Sequence, residues 1–382
     1  MKIVYCINSI RTLGGVERVT VVKANALAEI PGNEVYIAVL DDKKGEYVHL
    51  PSAKVKVVDL DAVFFPKGMP GSKVSYVLQI RKKSREYFLK LSAFLHRLCP
   101  DVVVSVGHTE FYVLPKIKGP WKLVREQHLA SNYRRRLCRG ESLFRHITAL
   151  YGYLMDKHYY PKYDRIVTLT EDDRQKYWRH CSKVAVIPNP VSFICDKTAE
   201  LTAKRIVSVG RLAPVKQFDV LIKAFYIVHQ AHPDWTLEIV GDGELKQELL
   251  QLIHELSLDD SVSLLGRRSD VEQILLNSSI FAFSSSFEGF GLVLLEAMEC
   301  GLPVVSTDCQ YGPNEIVTEG VDGFLTPVGD IEYMAKVLCY LIENEDIRIE
   351  MGGVNAKLKA SQYHPSALAL RWTHFFRKLI DE

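Results

Sequence analysis

The sequence predicts an α/β protein made of two doubly wound parallel-sheet domains. Short β-branched runs alternate with longer helical patterns along the whole chain. The runs are almost continuously apolar, as strands covered on both faces are. The chain has 382 residues, too many for one hydrophobic core and suited to two of ordinary size.

In the first half the predicted strands are KIVYCI, EVYIAVL, KVKVVDL, DVVVSV, KLVREQ, RIVTLT and KVAVIP. In the second half they are RIVSVG, LEIVG, VSLLG, IFAFS and PVVST. The alternation breaks between Asn189 and Lys204, in NPVSFICDKTAELTAKR, which carries proline and polar residues with no clear period. The expected domains are therefore 1–188 and 189–364. The closing amphipathic stretch SALALRWTHFFRKLIDE is expected to cross back, as a helix over 365–382, to the first domain. The result would be two Rossmann-like units facing across a central cleft, with ligands beyond the carboxyl ends of the strands. The stretch FFPKGMPGSK (64–73) reads as an exposed loop before a basic helix that begins near Val74.

Composition narrows the function classes. The opening MKIVYCINSI is apolar but short and runs into Arg11, so it reads as a first strand and not a signal peptide. No apolar run approaches the roughly 20 residues of a membrane span, and a cytoplasmic protein, soluble or peripheral, is expected. The eight cysteines are scattered singly, without C-x-x-C or metal spacing, as reduced structural thiols are. The net charge of +2 hides a division: residues 1–190 hold 32 Lys and Arg against 18 Asp and Glu, a surplus of 14 cations. Such asymmetry points to an anionic partner of the first half, whether membrane surface, phosphorylated acceptor or nucleic acid. No nucleic-acid recognition module accompanies it. YRRRLCR (133–139) and IRKKSREYFLK (80–90) interleave basic residues with Tyr, Phe and Leu. They suit an anionic membrane surface or a pyrophosphate-lipid acceptor, and equally a solvated helix face.

Candidate chemistry concentrates in the second half. VSVGRLAPVKQFDVLIKAF places Arg211 and Lys216 on the loop after a strand and before a helix, where two cations and helix-start amides can hold a diphosphate. FEGFGLVLLEA places Glu288 just before a helix that is apolar on nearly every side, and Glu296 in the middle of it. A buried carboxylate needs a partner that offsets its lost hydration. Gly289 and Gly291, flanking Phe290 and followed by Leu292, would let backbone amides approach a ligand closely. A nucleotide there would rest its diphosphate on those amides and offer its ribose hydroxyls to Glu296. The alternative is a buried ion pair with an Arg or Lys. GDGE (241–244) lacks the third glycine of a dinucleotide fingerprint and reads as a tight turn.

Two glutamates separated by seven residues within EGFGLVLLEAMECGLPVVSTD, preceded by VGRLAPVKQFDVLIKAF, IVGDGEL and LLGRRSDV, resemble the retaining glycosyltransferases of the GT-B class known as family 4. The likeness is dense over 206–330. It is thinner in the first half, at LGGVERV (13–19), REQH (125–128) and VIPNPV (186–191). The resemblance implies that Arg211 and Lys216 bind the donor diphosphate and stabilise it as it leaves, that Glu288 contacts the donor sugar, and that Glu296 holds the ribose. It implies that the base is read by backbone around Gly266 and Arg267. Gly14 and Gly15 resemble the glycine loop that closes over the donor phosphates, and His128 matches a histidine beside the donor sugar. CQYGPNEIV (309–317) is similar to members that use UDP-hexoses or their N-acetyl amines, and Glu315 there would touch the sugar or cap a helix. Gln217 departs from the pattern, standing where glycine is common, as does Thr170, where serine is usual.

The implied activity is metal-independent transfer of a hexose or N-acetylhexosamine from a UDP-sugar, with retention, to a glycan acceptor, lipid-linked, in surface polysaccharide synthesis. No metal or cofactor beyond the UDP-sugar donor is expected. One alternative is a UDP-sugar 2-epimerase of the same architecture, for which the first domain offers only Glu110 and Glu126 as acid/base groups. Another is a non-catalytic partner that keeps a nucleotide-sugar site.

Overall fold

The computed structural model describes residues 1–11, 14–40, 47, 49–62, 73–131 and 143–382, without the side chains of 73–81 and 143–148. Residues 64–72 of the expected loop and the basic stretch 133–139 lie outside the described residues. The chain divides into two compact units, residues 1–190 with 365–382, and residues 191–364.

The first unit contains β1 (Lys2–Ile7), α1 (Gly15–Ala28), β2 (Glu34–Val39), β3 (Val55–Asp59), α2 (Lys73–Leu98), β4 (Val102–Ser105), β5 (Lys122–Glu126), α3 (Leu143–Tyr159), β6 (Arg165–Thr168), α4 (Glu171–Tyr177) and β7 (Val184–Val186). Its sheet runs β3-β2-β1-β4-β5-β6-β7, parallel throughout. All seven strands fall on the runs read from the sequence. Side chains alternate between two cores, as a pleated strand requires. Ile3, Tyr5 and Ile7 enter one core and Val4 and Cys6 the other, which is rich in aromatics from α2 and the segment after β4. Thr170 stops the chain between β6 and α4 by accepting the Asp173 amide at 3.2 Å, the N-cap role that serine shares. In α2 the basic charge is partly neutralised locally, since Glu86 pairs with Lys83 and Lys90.

The second unit contains β8 (Arg205–Val209), α5 (Phe218–Ala231), β9 (Thr236–Val240), α6 (Lys246–Glu255), β10 (Val262–Gly266), α7 (Val271–Leu276), β11 (Ile280–Phe283), α8 (Leu292–Glu299), β12 (Val304–Thr307), α9 (Pro313–Ile316), β13 (Gly323–Thr326), α10 (Ile331–Glu343), α11 (Glu345–Ile349) and α12 (Lys357–Ser361). The order is β10-β9-β8-β11-β12-β13, again parallel. The edge strand β13 was not among the strands read from the sequence. It is four residues long and begins with a glycine, because a Cβ at Gly323 would sit 2.5 Å from the Val304 carbonyl.

The chain then returns to the first unit as α13 (Pro365–Asp381), the helix expected to cross back. It lies along α1 and delivers Ala369, Trp372, Phe376 and Leu379 to the core that holds Ile3 and Tyr5. Trp372 is only 1% exposed. Replacing such a side chain with alanine leaves a cavity that costs about 3–5 kcal/mol. Trp372→Ala is therefore expected to lower the urea midpoint markedly, whereas a shift worth under about 1 kcal/mol would mean that α13 adds little to the core.

The first unit also buries an acid with no charge-assisted partner. Glu110, in the turn after β4, is 0% exposed, and neither carboxyl oxygen meets a hydrogen-bond partner among the described residues. Burial lifts its pKa to about 7, against the pull of Arg125 and of nearby backbone amides. A carboxyl raised in this way favours the protonated folded state. Its contribution is full below the unfolded value and fades as pH rises from about 4.5 to 7, a loss on the order of 3 kcal/mol. Denaturation across that range should show wild-type stability falling relative to Glu110→Gln. Parallel curves would show that Glu110 does not titrate there.

Candidate functional site

In the second unit the sheet changes direction at β8 and β11. Successive strands β8, β9, β10 step one way and β11, β12, β13 the other. The loops leaving the carboxyl ends of β8 and β11 are therefore neighbours, at the position where open α/β sheets bind ligands. Ser284 donates to the Lys216 carbonyl at 2.7 Å, and the Ser286 amide to the Val215 carbonyl at 2.8 Å, fastening the loops together. Lys216 Nζ donates to Glu288 Oε1 at 2.6 Å. Their side chains are 19% and 15% exposed, so this ion pair is largely but not wholly withdrawn from water.

Lys216 ends a single 3-10 turn, Pro214–Lys216, and Gln217 follows at φ 47°, ψ 44°. That left-handed conformation strains a side-chain-bearing residue and not a glycine. The backbone thus explains why glycine is the less costly residue there. Arg211 projects outward, 73% exposed, and pairs with Glu244 at 2.9 Å. Both cations predicted for one diphosphate are present on one loop, each on its own acid.

Close backbone packing holds this loop against the turn after β9. A Cβ at Gly241, where φ is 146°, would lie 1.8 Å from the Gly210 carbonyl oxygen. The Gly241 amide donates to Gly266 at 2.9 Å, just past a register shift at the end of β10. Gly266 itself has φ 67°, and Arg267 beside it is 74% exposed with Asp242 at 3.9 Å. GDGE is a turn, as expected, and its glycines are demanded by contact rather than by a dinucleotide.

Helix α8 begins after Gly289, half-buried, and Phe290, 4% exposed; Gly291 is its N-cap at φ 93° and Leu292 its first residue. Glu296 is 4% exposed and its Oε1 accepts from Ser192 Oγ at 2.6 Å, so the protein itself supplies a partner. Three residues on, Glu299 accepts from the Cys195 amide at 3.1 Å and meets His364 Nε2 at 2.9 Å. Both acids of α8 thus grip the segment that opens and closes this unit. Glu299 and Ser192 were not singled out in the sequence; the only signal was a second acid on the same apolar helix. Glu315 lies within α9, whose N-cap is Gly312.

The first unit carries a cavity of about 330 Å³ beyond β1, β4 and β5, lined among others by Glu17, His108, Arg125, His128, Asp156 and Tyr160. Gly14 is the N-cap of α1 and Gly15 its first residue. A Cβ at Gly14 would fall 1.9 Å from Glu17 Oε2, whereas one at Gly15 would meet nothing within 4 Å. The Glu17 carboxylate therefore folds over the helix start where an anion would otherwise rest. His128 Nε2 lies 2.9 Å from Glu126 Oε2, and Lys23 donates to the same oxygen. Burial would raise the Glu126 pKa, but Lys23 and His128 together hold it down to about 2. Burial is also the main cause that lowers the His128 pKa, against the bond to Glu126. Lys23 was missed because a lysine on an amphipathic helix reads as solvated; its place among Val19, Thr20, Ala24 and Leu27 was the available signal. Glu110 and Glu126, the two carboxyls weighed for epimerisation, are 0% and 1% exposed, and Glu126 is held by Lys23.

Among the described residues no three His, Cys, Asp or Glu form a group able to hold a metal ion, and no helix is long and apolar enough to cross a membrane. Residues 194–357 match the family model for glycosyl transferases group 1. An uncharacterized glycosyltransferase of Haemophilus influenzae is 31% identical over 376 residues, 97% of this chain and 98% of that protein. The N-acetylgalactosamine-N,N'-diacetylbacillosaminyl-diphospho-undecaprenol 4-alpha-N-acetylgalactosaminyltransferase of Campylobacter jejuni is 35% identical over 198 residues, 50% of this chain and 53% of that protein. The structure of Anabaena Alr3699/HepE in complex with UDP and glucose superposes with a TM-score of 0.74 at 21% identity, covering 99% of this chain and 100% of that one. The two parallel sheets and the returning helix are thus those of the GT-B fold, and the chain belongs to the glycosyl transferases group 1 family.

Proposed function

We propose that the protein is a retaining, metal-independent family 4 enzyme that moves a hexose or N-acetylhexosamine from a UDP-sugar to a glycan acceptor. The observation that carries this reading is the Lys216–Glu288 pair at the β8/β11 switch point, 2.6 Å apart on two loops bonded to one another. In that site Lys216 and Arg211 bind the donor diphosphate, and the amides from Gly289 to Leu292 close on it. As the anomeric bond breaks, negative charge grows on the leaving diphosphate, and fixed cations and amides stabilise that charge without reorganising. Glu288 orients Lys216 and meets the sugar. Glu296 reaches the ribose, and the backbone at Gly266 and Arg267 faces the base. His128, with Gly14 and Gly15, is given a role at the sugar and acceptor by the same family resemblance.

Uridine is favoured because the Anabaena protein of like fold was solved with UDP. A lipid-linked acceptor in polysaccharide synthesis is favoured because the Campylobacter relative is named for a diphospho-undecaprenol. A peripheral position on an anionic membrane face fits the cationic surplus of the first half and the exposed Leu150, Tyr151 and Leu154 of α3.

A nucleotide at 100 times its dissociation constant should stabilise the fold by about 2.7 kcal/mol. In chelator, UDP is expected to raise the melting temperature more than GDP or ADP, and Glu296→Ala to abolish the shift. No shift with any nucleotide would leave the family fold without a working donor site. Lys216→Ala is expected to slow transfer about 10²-fold to 10³-fold, as loss of one charge-stabilising donor does. An unchanged rate removes Lys216 from the leaving-group site. Anionic vesicles should cosediment the protein at low salt and release it at high salt; equal behaviour with neutral vesicles excludes the membrane assignment.

A further inference from the structure

We propose that Glu126, held in place by Lys23, is a positioning residue that fixes His128 with its proton on Nε2 and leaves Nδ1 as a bare hydrogen-bond acceptor beside the cavity of the first unit. The inference rests on the proposed role of His128 at the transferred sugar and names the form in which it acts there.

The geometry places a proton on Nε2. Glu126 Oε2 accepts from both Lys23 Nζ and His128 Nε2, so the Nε2 atom facing it carries hydrogen. A neutral imidazole with hydrogen on Nε2 has none on Nδ1. That Nδ1 is buried and meets no hydrogen-bond partner among the described residues. The same is true of Glu126 Oε1, and of Arg125 Nε in the adjoining residue. Buried polar atoms are rarely left without partners, and two of these three, His128 Nδ1 and Arg125 Nε, belong to residues that line the cavity, which marks it as a place completed by something else. The cavity residues thus offer one acceptor and one donor, the complement of a hydroxyl-bearing ligand such as a sugar. An acceptor nitrogen selects a hydroxyl that donates.

Lys23 is what makes the arrangement firm. Its side chain and that of Glu126 are each 2% exposed, and the rings of Trp372 and Tyr5 lie 5.0 and 5.7 Å from its ammonium. A carboxylate oriented by a buried cation turns little, and so does the imidazole bonded to it.

The experiment is nitrogen-15 NMR of the histidine side chains of the full chain between pH 6.5 and 8, with His128→Asn used to identify the signal. The expected result is a neutral ring with hydrogen on Nε2 throughout. Hydrogen on Nδ1, or a charged ring at pH 7.5, overturns the proposal, and no altered fold is needed to see it. The second arm is the double variant Lys23→Met/Glu126→Leu, which removes both charges together, because such replacement is often neutral for stability whereas breaking one side is not. It should keep its UDP-induced thermal shift, show His128 as a mixture of ring forms, and lose on the order of tenfold to a hundredfold in kcat with a smaller change in donor KM. Unchanged kcat with an unchanged ring form would falsify the positioning role. If the wild-type ring is as expected but His128→Asn transfers sugar normally, the role of His128 in transfer fails while the proton assignment stands.

Discussion

The ion pair between Lys23 and Glu126 is the contact on which the interior of the first unit is arranged. It joins α1 to the end of β5, more than a hundred residues later in the chain. Two charges removed from water persist only when each is the other's partner. Tyr5 from the central strand and Trp372 from the returning helix shield the lysine, so the pair also dictates what must surround it. His128 takes its orientation from the acid. Core packing, the position of α13 and the chemistry available at the cavity therefore share one origin.

The second unit solves a different problem, bringing loops close enough to act on one ligand. Its means is backbone contact. Gly241 lets the turn after β9 touch Gly210, and Gly312 lets the turn before α9 approach the Phe290 carbonyl, where a Cβ would stand 1.8 Å away. Side chains then add direction: Ser284, Ser286 and Glu288 all reach the 215–216 segment. Gln217 keeps the left-handed backbone that the loop needs without the residue that adopts it most readily. The loop's shape is evidently set by its bonds to the β11 loop as much as by its own sequence.

Much of this architecture was legible in the amino acids, because strand burial and helix amphipathicity are local patterns. Twelve strand runs and the returning helix showed themselves through period alone. Strand β13 did not, since four residues with a glycine carry too little pattern to separate from a turn. The candidate residues were legible for another reason, their position after strands and their likeness to a known motif. What they bond was not. Lys23 with Glu126, Lys216 with Glu288 and Ser192 with Glu296 are separated by 103, 72 and 104 positions, and no local periodicity records a pairing at that range. Glu296 is the instructive case: an acid in an apolar helix announced that a partner existed and said nothing of the serine that lies beside it.

The return of α13 also sets an order of events in synthesis. Residues 191–364 form one unbroken stretch with a complete core of their own, so they can fold as soon as they have emerged. The first unit emerges earlier yet waits, because Trp372 and Phe376 reach it only after the second unit has been made. During that interval α1 lacks the cover that α13 gives it, and the buried lysine has the Tyr5 ring but not that of Trp372. A nascent chain of this design exposes its older half longer than its younger one, which makes residues 1–190 the part that chaperones and proteases meet first.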